Sequence, residues 1–129
     1  MAKPKKPVLI ITTAQVEGRP VEAYLGLAAG QALVGAHAVR DTLANLKEVF
    51  SGRSHTYERM LERGRDHALE DLEDAARDLG ADAVIGVSLA YSAVGPHGGM
   101  LMVSASGTAV KLADAVAASA ARSPLIANG

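Results

Sequence analysis

Residues 55–112 read HTYERMLERGRDHALEDLEDAARDLGADAVIGVSLAYSAVGPHGGMLMVSASGTAVKL, and this stretch decides the fold. In its first half, apolar or small residues recur at steps of three and four, the spacing that predicts one long amphipathic helix. Ser54 or Thr56 opens this helix, which runs to about Leu79, and Gly80 stands where a C-terminal cap belongs. The apolar stripe consists of Tyr57, Leu61, Gly64, Ala68, Leu72, Ala75 and Leu79.

The second half of the stretch predicts a β-hairpin. Large apolar and small residues alternate over 83–92, as in a strand. Glycines and Pro96 in the segment 94–99 turn the chain, and residues 100–112 form the returning strand. A helix of about 25 residues spans ~37 Å, and a strand of a dozen residues spans ~40 Å. One helix can therefore lie along one face of a long-stranded sheet.

The residues before this stretch predict two more strands and a short helix. The β-branched run Val8 to Thr13 is a strand, and Val21 to Val34 is another, in which Gly26 and Gly30 mark bulges or close backbone approaches. Asp41 can cap a short helix that stops at Ser51-Gly52. The predicted fold is α+β in two layers, with the long helix and the short helix packed on an antiparallel sheet.

The domain limits follow from composition. Residues 1–6 form a flexible basic tail, residues 7–112 form one α/β domain, and the Ala-rich residues 113–129 form a frayed helix or a disordered tail.

Composition also excludes several classes of function. The formal net charge of −1 gives no general attraction to nucleic acid or to an anionic membrane. The chain has no cysteine, which rules out disulfides, thiolate zinc sites and cysteine nucleophiles. No signal peptide or membrane helix is recognisable, so we expect a cytoplasmic protein. Aromatic residues make up only 3% of the chain, and one sheet face lacks a covering helix. Both features favour cover by another subunit.

Four blocks of the sequence resemble the YbjQ-like family. They are LGLAAGQALVGAHAVRD (25–41), SGRSHTYERML (51–61), ALEDLEDAARDLGADAVIGV (68–87) and GGMLMVSASGTAVKL (98–112). The resemblance covers residues 12–112 and implies a dodecin-like subunit that assembles through its sheets, as a homopentamer. The family is labelled as heavy-metal-binding, but its biochemical role is not established. His37 departs from the pattern, since the family has Asn at that position.

One group of candidate site residues lies where the two predicted helices meet. A helix N-terminus favours anions because of its free N–H groups and its dipole. The group could therefore bind an anion or form contacts at a subunit junction. Alternatively, its arginines form structural pairs with Asp41 or Glu58. The group consists of Arg40, Asp41, Arg53, Ser54 and Tyr57.

The second set of candidates concerns a divalent metal. Acidic residues at every fourth position from Glu58 and Glu62 to Asp78 form a carboxylate row on the long helix, which is either a cation-binding surface or a solvated face. His37 and His97 are the candidate histidine ligands, although the chain has no close histidine pair. The metal candidates are thus His37, His97, Glu58 and Glu62, and no other cofactor is evident.

The sequence contains no nucleophile paired with a base, so we expect no enzymatic activity. The leading interpretation is a homo-oligomeric binding or scaffold protein, whose partner is a second copy of the chain rather than a nucleic acid or a membrane. Two alternatives stay open. One is a divalent heavy-metal-binding protein with carboxylate and histidine ligands, and the other is a protein that binds a small molecule or an anion at subunit junctions.

Overall fold

The computed structural model describes residues 5–35 and 57–114, together with the backbone of residues 55 and 56. The predicted short helix from Asp41 lies outside the described residues. So do residues 1–4 of the predicted N-terminal tail and residues 115–129 of the predicted C-terminal tail.

One helix and four strands make up the described fold. The helix packs on a four-stranded sheet with the strand order β1-β3-β4-β2, so β1 and β2 are its two edges. In chain order the elements are β1 (Leu9–Ile10), β2 (Val21–Val34), α1 (His55–Asp78), β3 (Ala83–Val94), a 3-10 turn (Pro96–Gly98) and β4 (Met100–Leu112). The structure confirms the α+β class, the long helix and the hairpin predicted from the sequence.

The sheet is mixed, so the prediction of an antiparallel sheet is wrong for β1. This strand runs parallel to β3, with Leu9 opposite Ala83 and Ile10 opposite Val84. A single strand shows the same residue alternation in both kinds of pairing, so the sequence of β1 carries no sign of its direction.

The regular part of β1 is also shorter than the predicted strand from Val8 to Thr13. The cause lies in β3, where Gly86 has a φ of +61°. The consecutive N–H groups of Gly86 and Val87 both donate to the first segment, at 2.8 Å to the carbonyl of Thr13 and at 3.0 Å to that of Ile11. Such a bulge interrupts the ladder while hydrogen bonding continues beyond it.

Glycine ends α1, as predicted. Gly80 has a φ of +82°, which a residue with a Cβ adopts only at a cost. Its N–H donates to the carbonyl of Arg77 at 2.9 Å, and the N–H of Ala81 donates to that of Ala76 at 3.0 Å. This pair of bonds is the Schellman motif, and it turns the chain from α1 towards β3.

The chain forms two compact units. Within the described residues, the first unit comprises 5–28, 73–88 and 106–114, and the second comprises 29–35, 55–72 and 89–105. The first unit has an apolar cluster made by the start of β3 and the end of β4. Its members are Ala83, Ile85, Val110 and Leu112, with Ile11, Val16 and Val21 packed against them.

In the second unit, glycines let the helix approach the strands closely. An ideal Cβ on Gly30 would overlap the backbone N of Leu72 and the carbonyl oxygen of Ala68. A Cβ on Gly64 would lie 2.6 Å from a methyl carbon of Val103. The prediction of a close backbone approach at Gly30 is therefore confirmed. Because neither position leaves room for a side chain, helix and sheet pack at van der Waals contact.

Candidate functional site

In the edge strand β2, the alternation of exposed and less exposed residues shifts by one position at Gly26. Before this residue the exposed positions are even-numbered, and after it they are odd-numbered. Gly26 has a φ of +107°, and a Cβ there would meet no atom within 4 Å, so its role is conformational rather than steric. The predicted irregularity at Gly26 is confirmed. The change of phase keeps Ala28, Gly30 and Val34 buried.

Large apolar side chains occupy exposed positions of β2 on both sides of Gly26. Leu27 is 75% exposed, Tyr24 is 73% exposed and Leu33 is 49% exposed. These three residues form what we call the β2 apolar row. A long exposed apolar strand at a sheet edge offers side chains and backbone groups to another chain.

One backbone N–H of β2 is hydrogen-bonded to a side chain of α1. The N–H of Gln31 donates to a carboxylate oxygen of Asp71, on α1, at 3.0 Å. Asp71 of α1 therefore occupies this backbone donor of β2. Strand addition along the backbone is thereby obstructed at Gln31, while the side chains of the β2 apolar row stay accessible.

A shallow groove of about 420 Å³ lies between the first half of α1 and β3. It brings together two of the predicted metal candidates, Glu58 and Glu62, since residues four apart share one helix face. The guanidinium of Arg65 lies beside them, and its Nε is 3.4 Å from the carboxylate of Asp66. The groove is lined by Glu58, Leu61, Glu62, Arg65 and Tyr91.

The other metal candidates do not join these carboxylates. His97 is exposed in the 3-10 turn, where its φ of +59° is unusual for a residue with a side chain. His37 lies outside the described residues. Among residues 5–35 and 57–114, no group of three or more His, Asp or Glu side chains is placed to hold a metal ion.

The carboxylate row on α1 is solvent-exposed along its whole length, as a solvated face would be. One of its members, Asp74, is paired: its carboxylate is 2.6 Å from Arg77 and 3.4 Å from Lys5. The hydrogen bond from Arg77 lowers the pKa of Asp74, and the charge of Lys5 acts in the same direction. At the Asp74 end of the row, the positive charges that pair with the carboxylate belong to Lys5 and Arg77 of the same chain.

Arg77 and Asp82 hold the N-terminal segment. Arg77 donates from Nε to the carbonyl of Lys6 at 2.7 Å, and the ammonium of Lys6 is 2.8 Å from Asp82. Asp82 also accepts the N–H of Leu112 at 2.8 Å. The Lys6 hydrogen bond and then the Leu112 N–H lower the pKa of Asp82. Residues 5 and 6 of the predicted basic tail take part in these contacts.

The predicted junction site falls mostly outside the described part of the chain. Arg40, Asp41, Arg53 and Ser54 lie there, while Tyr57 is described and 44% exposed. The sequence predicts subunit contacts through the hairpin 83–112 and the strand 21–34, but it did not single out Tyr24 and Leu27. The phase change at Gly26 was the available signal, because a bulge moves each following side chain to the other face.

One family model matches most of this chain, and one solved structure is similar to it in fold. The model of a family described as "Putative heavy-metal-binding" matches residues 8–113 of this chain. A crystal structure of a protein of unknown function from the DUF74 family of Pediococcus pentosaceus is similar in fold, with a TM-score of 0.51 and 18% sequence identity. The match covers 81% of this chain and 97% of that one. Within the described residues, no helix has both the length and the apolar character to cross a membrane.

Proposed function

The chain belongs to the YbjQ-like family, and on that premise we propose that it is a non-enzymatic binding protein that assembles with copies of itself, as a pentamer. Its partner is a second copy of the chain, not a nucleic acid or a membrane. The observation that carries this proposal is the β2 apolar row, in which Tyr24 and Leu27 are each about three-quarters exposed.

Leaving these apolar side chains in water has a free-energy cost that assembly would remove. Burying apolar surface contributes about 25 cal/mol per Å², and Tyr is enriched at interfaces because it combines a large apolar ring with a polar hydroxyl. The row lies on an edge strand of 14 residues, which gives a partner an extended surface. A net charge of −1 adds only weak repulsion between copies.

Light scattering coupled to size exclusion tests this proposal with paired variants. Leu27→Lys places a charge in the centre of the β2 apolar row, so we expect the assembly to dissociate at micromolar concentration. Glu22→Lys also adds a positive charge at an exposed position of the same strand, outside the row, and should leave the mass unchanged. An unchanged mass for Leu27→Lys would reject the β2 apolar row as the interface.

A second candidate function is binding of a divalent metal, and the groove that holds both Glu58 and Glu62 favours it. Two carboxylates are fewer than the four ligands of a typical zinc site, so the remaining ligands would come from a neighbouring copy. Titration calorimetry with zinc, nickel and copper should then give heat that Glu62→Gln reduces and Glu70→Gln does not. Equal heats for the two variants would reject this site.

A further inference from the structure

The backbone edge of β3 is occupied by the N-terminal segment, residues 5–13, which we call the edge cover. Leu9 donates to the carbonyl of Asp82 and Ile11 to that of Val84, each at 3.0 Å. The two N–H groups at the Gly86 bulge donate back to the cover, as described above. The edge cover thus satisfies β3 through backbone hydrogen bonds on both sides of the Gly86 bulge.

Side-chain contacts of the edge cover are both apolar and ionic. Ile11 packs against the apolar cluster of the first unit. Val8 is its one buried side chain within the described residues, at 6% exposure, and Leu9 is 46% exposed. The remaining anchors are the ion pairs of Lys5 and Lys6 and the bond from Arg77 to the carbonyl of Lys6. Exposed ion pairs contribute little and weaken as salt screens them. The ionic part of the cover's anchoring therefore weakens as salt is added.

The residues that follow the edge cover can act as a hinge. None of the residues 14–20 is buried, and they reach β2 through a turn in which Gly18 has a φ of +83°. Release of the cover would change the conformation of this connection, in which Val16 packs against the apolar cluster and Arg19 donates to the carbonyl of Ala113 at 3.0 Å, while β2 begins only at Val21.

We propose that the edge cover is an exchangeable strand, so that residues 5–13 of one copy occupy the β3 edge of a second copy. An identical segment makes identical hydrogen bonds and ion pairs, and exchange of one element between copies is a low-cost route to association. The exchange uses the β3 edge, at the opposite side of the sheet from the β2 apolar row. It therefore goes beyond the proposed function and does not depend on it.

Disulfide trapping tests the exchange directly, since the natural chain has no cysteine. One copy carries Leu9→Cys and a second copy, distinguished by mass, carries Ala83→Cys, because these positions are opposite each other in the ladder. When the two variants are mixed and oxidised, we expect a disulfide between position 9 of one copy and position 83 of the other, which we call the crossed disulfide. It should form several-fold faster in about 1 M salt, where the Debye length is ~3 Å. The matched control replaces Leu9→Cys by Leu79→Cys, which is equally exposed, at 44%, but lies outside the cover.

A variant of Asp82, which pairs with Lys6, tests whether this ion pair limits the rate of trapping. Asp82→Asn keeps an oxygen to accept the N–H of Leu112 but removes the ion pair with Lys6, so it should accelerate trapping at low salt and abolish most of the salt effect. Crossed disulfide at the rate of the Leu79→Cys control, or a rate independent of both salt and Asp82→Asn, would overturn the proposal. Leu27→Lys should still allow trapping, which separates this result from the failure of assembly through β2.

Discussion

The two edge strands of the sheet, β1 and β2, differ in how readily they can pair with another chain. β1 has two regularly paired residues and is held by lysines, Arg77 and Asp82, whereas β2 has 14 residues and exposes Tyr24 and Leu27. Short and charged edge strands discourage pairing with other chains, and long apolar edges invite it. One edge is thus closed by the chain's own N-terminal segment, whereas the other leaves large apolar side chains exposed.

We expect the largest loss of stability where β2 packs against α1. Gly30→Val would drive a branched side chain into the backbone of Leu72 and Ala68, which cannot move aside as a side chain can. Overpacking of this kind costs about 3 kcal/mol or more of unfolding free energy. Urea denaturation followed by circular dichroism measures the loss.

The neighbouring exposed position provides the control for Gly30. Ala29→Val adds the same branched group on the open side of β2, where surface substitutions stay within ~0.5 kcal/mol. If Gly30→Val were as stable as Ala29→Val, the close contact between helix and β2 would be disproved.

A smaller effect is expected at the other edge. Arg77→Met removes the donor to the carbonyl of Lys6 and the ion pairs with Glu73 and Asp74. We expect a loss of about 1 kcal/mol, the usual net value of a partly exposed hydrogen bond. Thermal unfolding measures it against Arg63→Met, an exposed arginine of the same helix that should change little. Equal melting temperatures for the two variants would show that Arg77 does not anchor the cover.

The smallest effect is a pH dependence at Asp82. Its folded pKa lies below the ordinary value of 3.8, because Lys6 and the Leu112 N–H stabilise the carboxylate. The unfolded state therefore binds the proton more readily, so this contribution to stability is present above the unfolded pKa. It is lost as pH falls through the folded pKa. The difference in melting temperature between the natural chain and Asp82→Asn should shrink from pH 6 to pH 3. A difference that stays constant would contradict this role for Asp82.

Periodicity was sufficient to predict the main elements. The three- and four-residue steps predict α1, and alternation with a Gly-rich turn predicts β3 and β4, because local patterns report which face of an element is buried. Gly80 was also predictable, since a helix end commonly uses a glycine in the left-handed conformation.

The contacts at the two edges were not predictable from the sequence. The parallel direction of β1 and the anchoring of Lys6 by Arg77 and Asp82 depend on residues about 70 positions apart in sequence, which no local pattern encodes. For the predicted metal candidates, too, only contacts between residues close in sequence were predictable. Glu58 and Glu62 meet in one groove because they are four apart, while nothing local brings His97 to them.

We propose that β2 offers its apolar row to other copies of the chain. Native mass spectrometry at micromolar concentration tests it most directly. We expect a pentamer of about 66 kDa, from five chains of 13.2 kDa each, and its conversion to single chains in Leu27→Lys. A natural chain that remains at 13.2 kDa would contradict assembly through the β2 apolar row.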